Sequence, residues 1–225
     1  MIMISPTQYP TRSPLYHLQA NAQLSRLGDS LTVARYSSGE TEAARRCALV
    51  DLCNLARVGF RGAGSAHYLQ AQGFELPPAP NLALRQTDGS LVARLSRTEY
   101  LLLGSLGDQG QRLQRLENGW QQDATANYLL PRIDSHAWLR LCGQHCAEVM
   151  AKLCAVDLRP QSFPPLAVAQ TSAARINVIV INAGTPLQPC LELLCDRAAA
   201  EYFWGALLDA MGEFDGCAVG IEALI

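Results

Sequence analysis

The chain has 225 residues, 49% of them apolar by type, and 18 Lys+Arg against 20 Asp+Glu leave it two charges negative. That length and apolar content suffice for a core without disulfides or structural metal and exclude intrinsic disorder, while the near-neutral balance argues against binding by neutralising nucleic-acid phosphates. No run of about 18 apolar residues is present to span a membrane, and the opening MIMISPTQYPTRSPLYHL lacks the basic-then-apolar pattern of a secretory signal, so a soluble, cytoplasmic protein is expected.

Residues 1–40 read as an N-terminal arm, rich in Pro, Ser and Gln over residues 1–30 and tied down by Leu15, Tyr16 and Leu18. A first unit, residues 41–130, opens with a helical turn over Thr41–Arg46, capped by Thr41 with Glu42 near its positive end. Val58 and Phe60 alternate into Gly62, and Ala66 and Leu69 mark a short amphipathic helix. Asp88-Gly89 is a hairpin turn between Leu82–Gln86 and Leu91–Leu95. A second helix over Gln109–Leu116 and a short strand at Tyr128-Leu-Leu close the unit.

The second unit, residues 131–225, repeats this order. Leu139 and Leu141 alternate into Gly143, and Ala147 and Met150 mark the helix that follows. Ile176–Ile181 reads as an almost continuously buried strand. Ala198–Met211 is a helix with Phe203, Leu207 and Met211 on one stripe and Arg197 and Asp209 outside it, before a closing strand at Cys217–Ile221. Gly62, Ala66 and Leu69 stand 81 residues before Gly143, Ala147 and Met150. Glu75-Leu76 then Pro78 match Asp157-Leu158 then Pro160, and Glu99-Tyr-Leu-Leu-Leu is echoed by Glu192-Leu-Leu-Cys. Leu82-Ala83 and Gln86-Thr87 stand 84 residues before Leu166-Ala167 and Gln170-Thr171. The fold class is α+β: two pseudo-repeated βαββαβ-like units with antiparallel sheets, together one domain.

Groups suited to chemistry are sparse. Cys142-Gly-Gln-His145-Cys146 offers three soft ligands, but the eight cysteines contain no C-x-x-C, and those inside apolar runs read as small hydrophobes. Gly62-Ala-Gly64 follows a strand and opens a helix, yet His67 stands where a dinucleotide fingerprint needs its third glycine, so the stretch reads as a tight turn. Ser65 sits one residue off nucleophile-elbow spacing, and His17, His67, His136 and His145 are scattered. Arg85, Arg94 and Arg97 read as a solvated face, and Trp120, Trp138 and Trp204 as core or subunit-interface residues. Charged residues, at 17% against a typical ~25%, point to surface covered by protein. No catalytic, cofactor-binding or metal-binding residue is nominated.

Pro14-Leu-Tyr-His-Leu, Glu42-x-x-x-Arg46 and Leu49-Val-Asp51-Leu, followed by the strand into Gly62, resemble the opening of the glycine-cleavage T-protein (aminomethyltransferase) superfamily. Leu139-Arg-Leu-Cys-Gly143, Val156-Asp-Leu-Arg-Pro160, Phe163-Pro-Pro-Leu-Ala-Val-Ala-Gln170 and Tyr202-Phe-Trp-Gly-Ala-Leu-Leu-Asp209 more closely resemble the gamma subunits of heterotetrameric sarcosine oxidases, over residues 14–214 in all. The resemblance implies a folate-binding aminomethyltransferase-like fold without the C-terminal barrel, and a non-catalytic structural role. It also implies alpha, beta and delta subunits as partners that hold NAD, FAD, FMN, zinc and tetrahydrofolate between them, with none of these in this chain. The T-protein pattern Gly-Gly-Ile-x-Asp-Asp carries the transfer aspartate, whereas here the stretch reads Gly89-Ser-Leu-Val-Ala93-Arg94. The strand-end Asn that contacts folate corresponds to Gly104. A stand-alone aminomethyltransferase and a folate-binding module without turnover are the alternatives.

Overall fold

In a computed structural model, which describes Tyr9 and residues 11–225, thirteen strands and five α-helices follow one another as two versions of the same theme. The part of the expected arm that falls on residues 1–8 and 10 lies outside the described residues. The chain opens with β1 (Gln23–Leu27), β2 (Ser30–Arg35), α1 (Glu40–Arg46) and β3 (Ala48–Asp51). It continues with β4 (Arg57–Arg61), α2 (Ser65–Ala71), β5 (Leu82–Arg85), β6 (Leu91–Arg94), β7 (Glu99–Leu103), α3 (Gln111–Gly119) and β8 (Tyr128–Pro131). The second version is β9 (His136–Cys142), α4 (Cys146–Ala151), β10 (Val168–Ala173), β11 (Ile176–Asn182), β12 (Cys190–Asp196), α5 (Ala200–Met211) and β13 (Cys217–Ala218).

Contacts divide these elements into two units, one of residues up to Asn54 with His136–Pro165 and Thr171–Ile225, the other of Leu55–Ser135 with Leu166–Gln170. This division replaces the expected boundary at residues 130 and 131. The segment before β4 does not belong with the first repeat: β3 pairs with β9, Ala48 opposite Cys142 and Asp51 opposite Leu139. Its four residues are all buried, and a strand buried on both faces has to lie inside a sheet.

In the second unit the strand order is β5-β6-β7-β4-β8, and all four neighbouring pairs are antiparallel. The alternation of Val58 and Phe60 puts both on the face that packs with Val92, Tyr100 and Leu102, closed over by Leu69, Leu113 and Leu116. Gly89 takes φ of 85° in the hairpin turn as its sequence requires, while Asp88 Oδ1 accepts from the Ser90 N–H at 3.0 Å. α3 starts two residues later than the sequence suggested, because Asp108 accepts from the N–H groups of Gly110 and Arg112 and so fixes its first turn.

The six-stranded sheet has the order β10-β11-β12-β9-β3-β13, in which β13 runs parallel to β3. Its core is formed by Leu49, Leu139, Leu141, Val180, Leu191 and Leu193 from the sheet with Phe203, Leu207 and Met211 from α5, all nearly inaccessible to water. β11 alternates more than expected, with Asn177 exposed and Ile179 half-buried. Residues 23–35 form an antiparallel hairpin, β1 with β2, where an extended arm was expected. Gly28-Asp29 between paired Leu27 and Ser30 is the two-residue turn that makes it. Thr41 does not cap α1; Glu40 does the polar work, its Oε1 accepting from Tyr36 and Ser37 N–H and its Oε2 from Gly220 N–H. No helix among the described residues is long and apolar enough to cross a membrane.

Candidate functional site

The positions that carry folate chemistry in the family that the sequence resembles fall on β6 and just after β7. Ala93 is fully buried in mid-strand between Ala83 and Leu101. Gly104 lies against the chain itself: its N–H donates to Ala56 O at 2.9 Å, and a β-carbon there would stand 2.7 Å from the same oxygen. Neither a carboxylate nor an amide is present, and at Gly104 no side chain enters without moving backbone. The residues here do not fit tetrahydrofolate in the family manner.

Most of the other residues weighed from the sequence are engaged in structure. Cys142 and Cys146 are buried, and the Cys146 thiol donates to Leu141 O. His145 stacks on Phe214 with centroids 4.5 Å apart and lies 3.5 Å from Glu148. Among the described residues no group of three or more His, Cys, Asp or Glu side chains stands where it could hold a metal ion. His67 is exposed on α2, and Ser65 donates to Asn127 Oδ1 at 3.0 Å. His17 faces Glu201 at 3.4 Å, and His136 opens β9. Arg94 is no solvated charge: it donates to the carbonyls of Pro78 and Arg97 and lies over the Tyr100 ring. Arg85 and Arg97 are exposed.

Sequence reasoning missed three buried carboxylates. Glu192, without accessible surface, accepts from Trp138 Nε1 at 2.7 Å and from Arg140 Nε at 2.9 Å. Asp51 accepts from Ser13 Oγ, Gln19 Nε2 and the Cys53 N–H, so that it ties down the segment before β1. Glu40 is the third, as described above. All three bind groups far away in sequence, and only isolated acidic letters mark them. A shallow hollow of about 10 Å³, little more than the room for one water molecule, is lined by Ser13, Tyr16, Gln19 and Asn54 among others. Such engaged groups position the chain.

Trp138 and Trp204 are core residues, and Trp120 is half-buried at the rim of the second unit's core with its indole N–H unpartnered among the described residues. Large apolar side chains reach the surface elsewhere: Tyr16, Leu18, Leu187 and Tyr202 in the first unit, Leu82 and Tyr128 in the second.

Residues 85–225 match the model of the GCVT N-terminal domain. Over 96% of its length the chain is 28% identical to the sarcosine oxidase subunit gamma of Corynebacterium sp. (strain U-96), of which the match covers 97%. Among solved structures it is similar to a chain of the heterotetrameric sarcosine oxidase from Corynebacterium sp. U-96 in complex with pyrrole 2-carboxylate, with a TM-score of 0.66 and 25% identity over 90% of this chain and 95% of that one. It shares its fold with the glycine cleavage system aminomethyltransferase T from Bartonella henselae (TM-score 0.68, 16% identity), of which the match covers 59% against 93% of this chain.

Proposed function

The chain belongs to the GCVT N-terminal domain family, and we propose that within it the chain is a non-catalytic, gamma-type structural subunit of a heterotetrameric, flavin-dependent sarcosine oxidase-like complex. The complex oxidatively demethylates sarcosine or a related N-methyl amine. Alpha, beta and delta subunits are the partners, and they hold FAD, FMN, NAD, zinc and the tetrahydrofolate that takes up the one-carbon unit; this chain holds none. The observation that carries the reading is the end-to-end match to a gamma subunit, 96% of one chain on 97% of the other. Ala93 and Gly104 support it, since a buried methyl and a backbone contact can neither move a proton nor orient a pterin.

The test is co-purification. Tagged and co-expressed with the candidate flavoprotein subunits, the chain is expected to bring them down in a fixed ratio with flavin absorbance, and alone to be colourless. Purified alone with stoichiometric flavin, or binding tetrahydrofolate without partners, it would instead be a stand-alone aminomethyltransferase-like or folate-binding one-carbon protein.

A further inference from the structure

The two sheets are the same up to one strand. Gly62 and Gly143 set the alignment: β4 corresponds to β9, β7 to β12 and β8 to β3, with Tyr128 at the place of Ala48 and Leu129 at that of Leu49. Beyond β3 the first sheet carries β13, whose segment donates from Cys217 N–H to Cys47 O at 3.3 Å and from Val219 N–H to Leu49 O at 3.0 Å. Beyond β8 the second sheet ends. The Gly62 N–H bonds Thr98 O on the β7 side, so the alternation of an antiparallel ladder turns Gly59 and Arg61 toward β8, where they pair with Leu130 and Tyr128. The Leu129 N–H and C=O and the Asn127 C=O then face outward, and no other strand among the described residues reaches them.

We propose that the outer edge of β8 is the seat of an extended segment of a partner subunit, which adds to the sheet as a sixth strand parallel to β8. The inference deepens the proposed function and rests on it, because it takes the occupant from the complex. An open edge flanked by apolar side chains is a template for another chain unless it is covered. Here Tyr128 is half exposed, Leu129 and Leu130 are partly so, and Leu129, like Trp120, packs partly buried against the core. Pro131 lacks an N–H and ends the ladder, so the site takes about two or three residues, the size of β13. The sister edge also states the chemistry: Cys217, Ala218 and Val219 are small or β-branched, and they run parallel to β3. A second copy joined through a two-fold axis would pair edge to edge antiparallel, the other sense.

Amide hydrogen exchange of the peptide 126–131 tests this, read in the full chain alone at low and high concentration and in the complex with its co-expressed flavoprotein subunits. Exchange at Leu129 is expected to be fast in the chain alone and about tenfold or more slower in the complex, while Leu49, already covered by β13, is protected in both. Leu129→Pro, which removes the outward N–H together with the leucine side chain, is expected to reduce recovery of the complex about tenfold, whereas Leu129→Ala, which loses the side-chain packing on the core but keeps the N–H, is expected to leave recovery within about twofold; equal loss in both variants overturns the inference. A complex in which Leu129 exchanges as fast as in the chain alone overturns this inference and leaves the proposed function standing. Protection in the dilute chain alone means that the chain fills its own edge, and protection only at high concentration means a second copy; either overturns it. Failure to form any complex overturns both readings.

Discussion

Gly62 and Gly143 meet the same obstruction in two different sheets: a β-carbon at Gly62 would lie 2.0 Å from Ala126 O, and one at Gly143 would lie 2.3 Å from Arg46 O. Each has positive φ, 135° and 108°, and each accepts from the N–H that opens the next helix, Ser65 and Cys146. The backbone leading into the neighbouring strand, β8 in one case and β3 in the other, passes so close that only hydrogen fits. The repeated glycine is thus a packing requirement shared by both repeats, with no phosphate-binding role needed to explain it.

Gly143→Ala and Gly62→Ala are therefore expected to destabilise the chain strongly, by about 3 kcal/mol or more each, since both strain and backbone overlap act. Gly205, exposed within α5 with nothing near its would-be β-carbon, is the control. Gly205→Ala is expected to add about 0.5–1 kcal/mol. Urea midpoints for the three variants check the contrast, and a neutral Gly143→Ala would refute the shared-corner account.

The Trp138–Glu192–Arg140 group yields the second prediction. Glu192→Ala leaves the Arg140 guanidinium and the Trp138 indole N–H without their buried acceptor and is expected to cost about 3–5 kcal/mol. Glu192→Gln keeps one acceptor and is expected to cost about half as much. Chemical unfolding measures both, and Trp138 fluorescence in the native baseline reports whether the indole has moved.

Local signals in the sequence were enough for the Asp88-Gly89 hairpin, the helix ending at Met211 and the strand after α3, because each is set by neighbours a few residues away. The Gly28-Asp29 turn carried the same kind of signal and was overshadowed by the Pro- and Ser-rich residues before it. What sequence could not convey was long-range. β3 joins the sheet of the second repeat through a partner about 90 residues distant, and no periodicity encodes that choice. Gln86-Thr87 and Gln170-Thr171 matched as letters, yet Gln86 lies past the end of β5 whereas Gln170 lies inside β10, because the second hairpin is longer before its turn. The same holds for the candidate edge: Tyr128-Leu-Leu was readable as a strand, but its free side emerges only when two sheets are compared.

The third prediction concerns pH. Burial, reinforced by Cys217 nearby, raises the Cys47 thiol from 9.0 to about 11, and burial likewise raises Cys142 and Cys146. A thiol whose folded pKa exceeds its unfolded one stabilises the fold fully below the unfolded value and loses that contribution as pH rises toward the folded value. Stability should accordingly be flat from pH 7 to 8.5 and fall between pH 9 and 11, each such thiol contributing up to about 1.4 kcal/mol per unit. Cys47→Ala is expected to make that decline shallower in urea unfolding at pH 8 and pH 10; an unchanged slope would mean that Cys47 is not buried as described.

The fourth prediction tests what holds the segment before β1. Leu15 is fully buried, and Asp51 receives Ser13 and Gln19 on one oxygen and the Cys53 N–H on the other. An apolar anchor alone leaves the approach to β1 free to pivot, whereas a carboxylate with three donors fixes its direction. Asp51→Asn keeps the shape, loses the charge and presents a donor where an acceptor is needed, so at least one of Ser13 and Gln19 is released. With charge-assisted hydrogen bonds worth about 1.5–3 kcal/mol each, a loss of about 2 kcal/mol is expected, together with new proteolytic cleavage between residues 11 and 22 under native conditions. Leu15→Ala should lose about 2–5 kcal/mol through the cavity it leaves and open the same cleavage sites. If Asp51→Asn lowers stability without exposing residues 11–22 to protease, the carboxylate is serving β3 through Cys53 alone, and Leu15 by itself holds the segment in place.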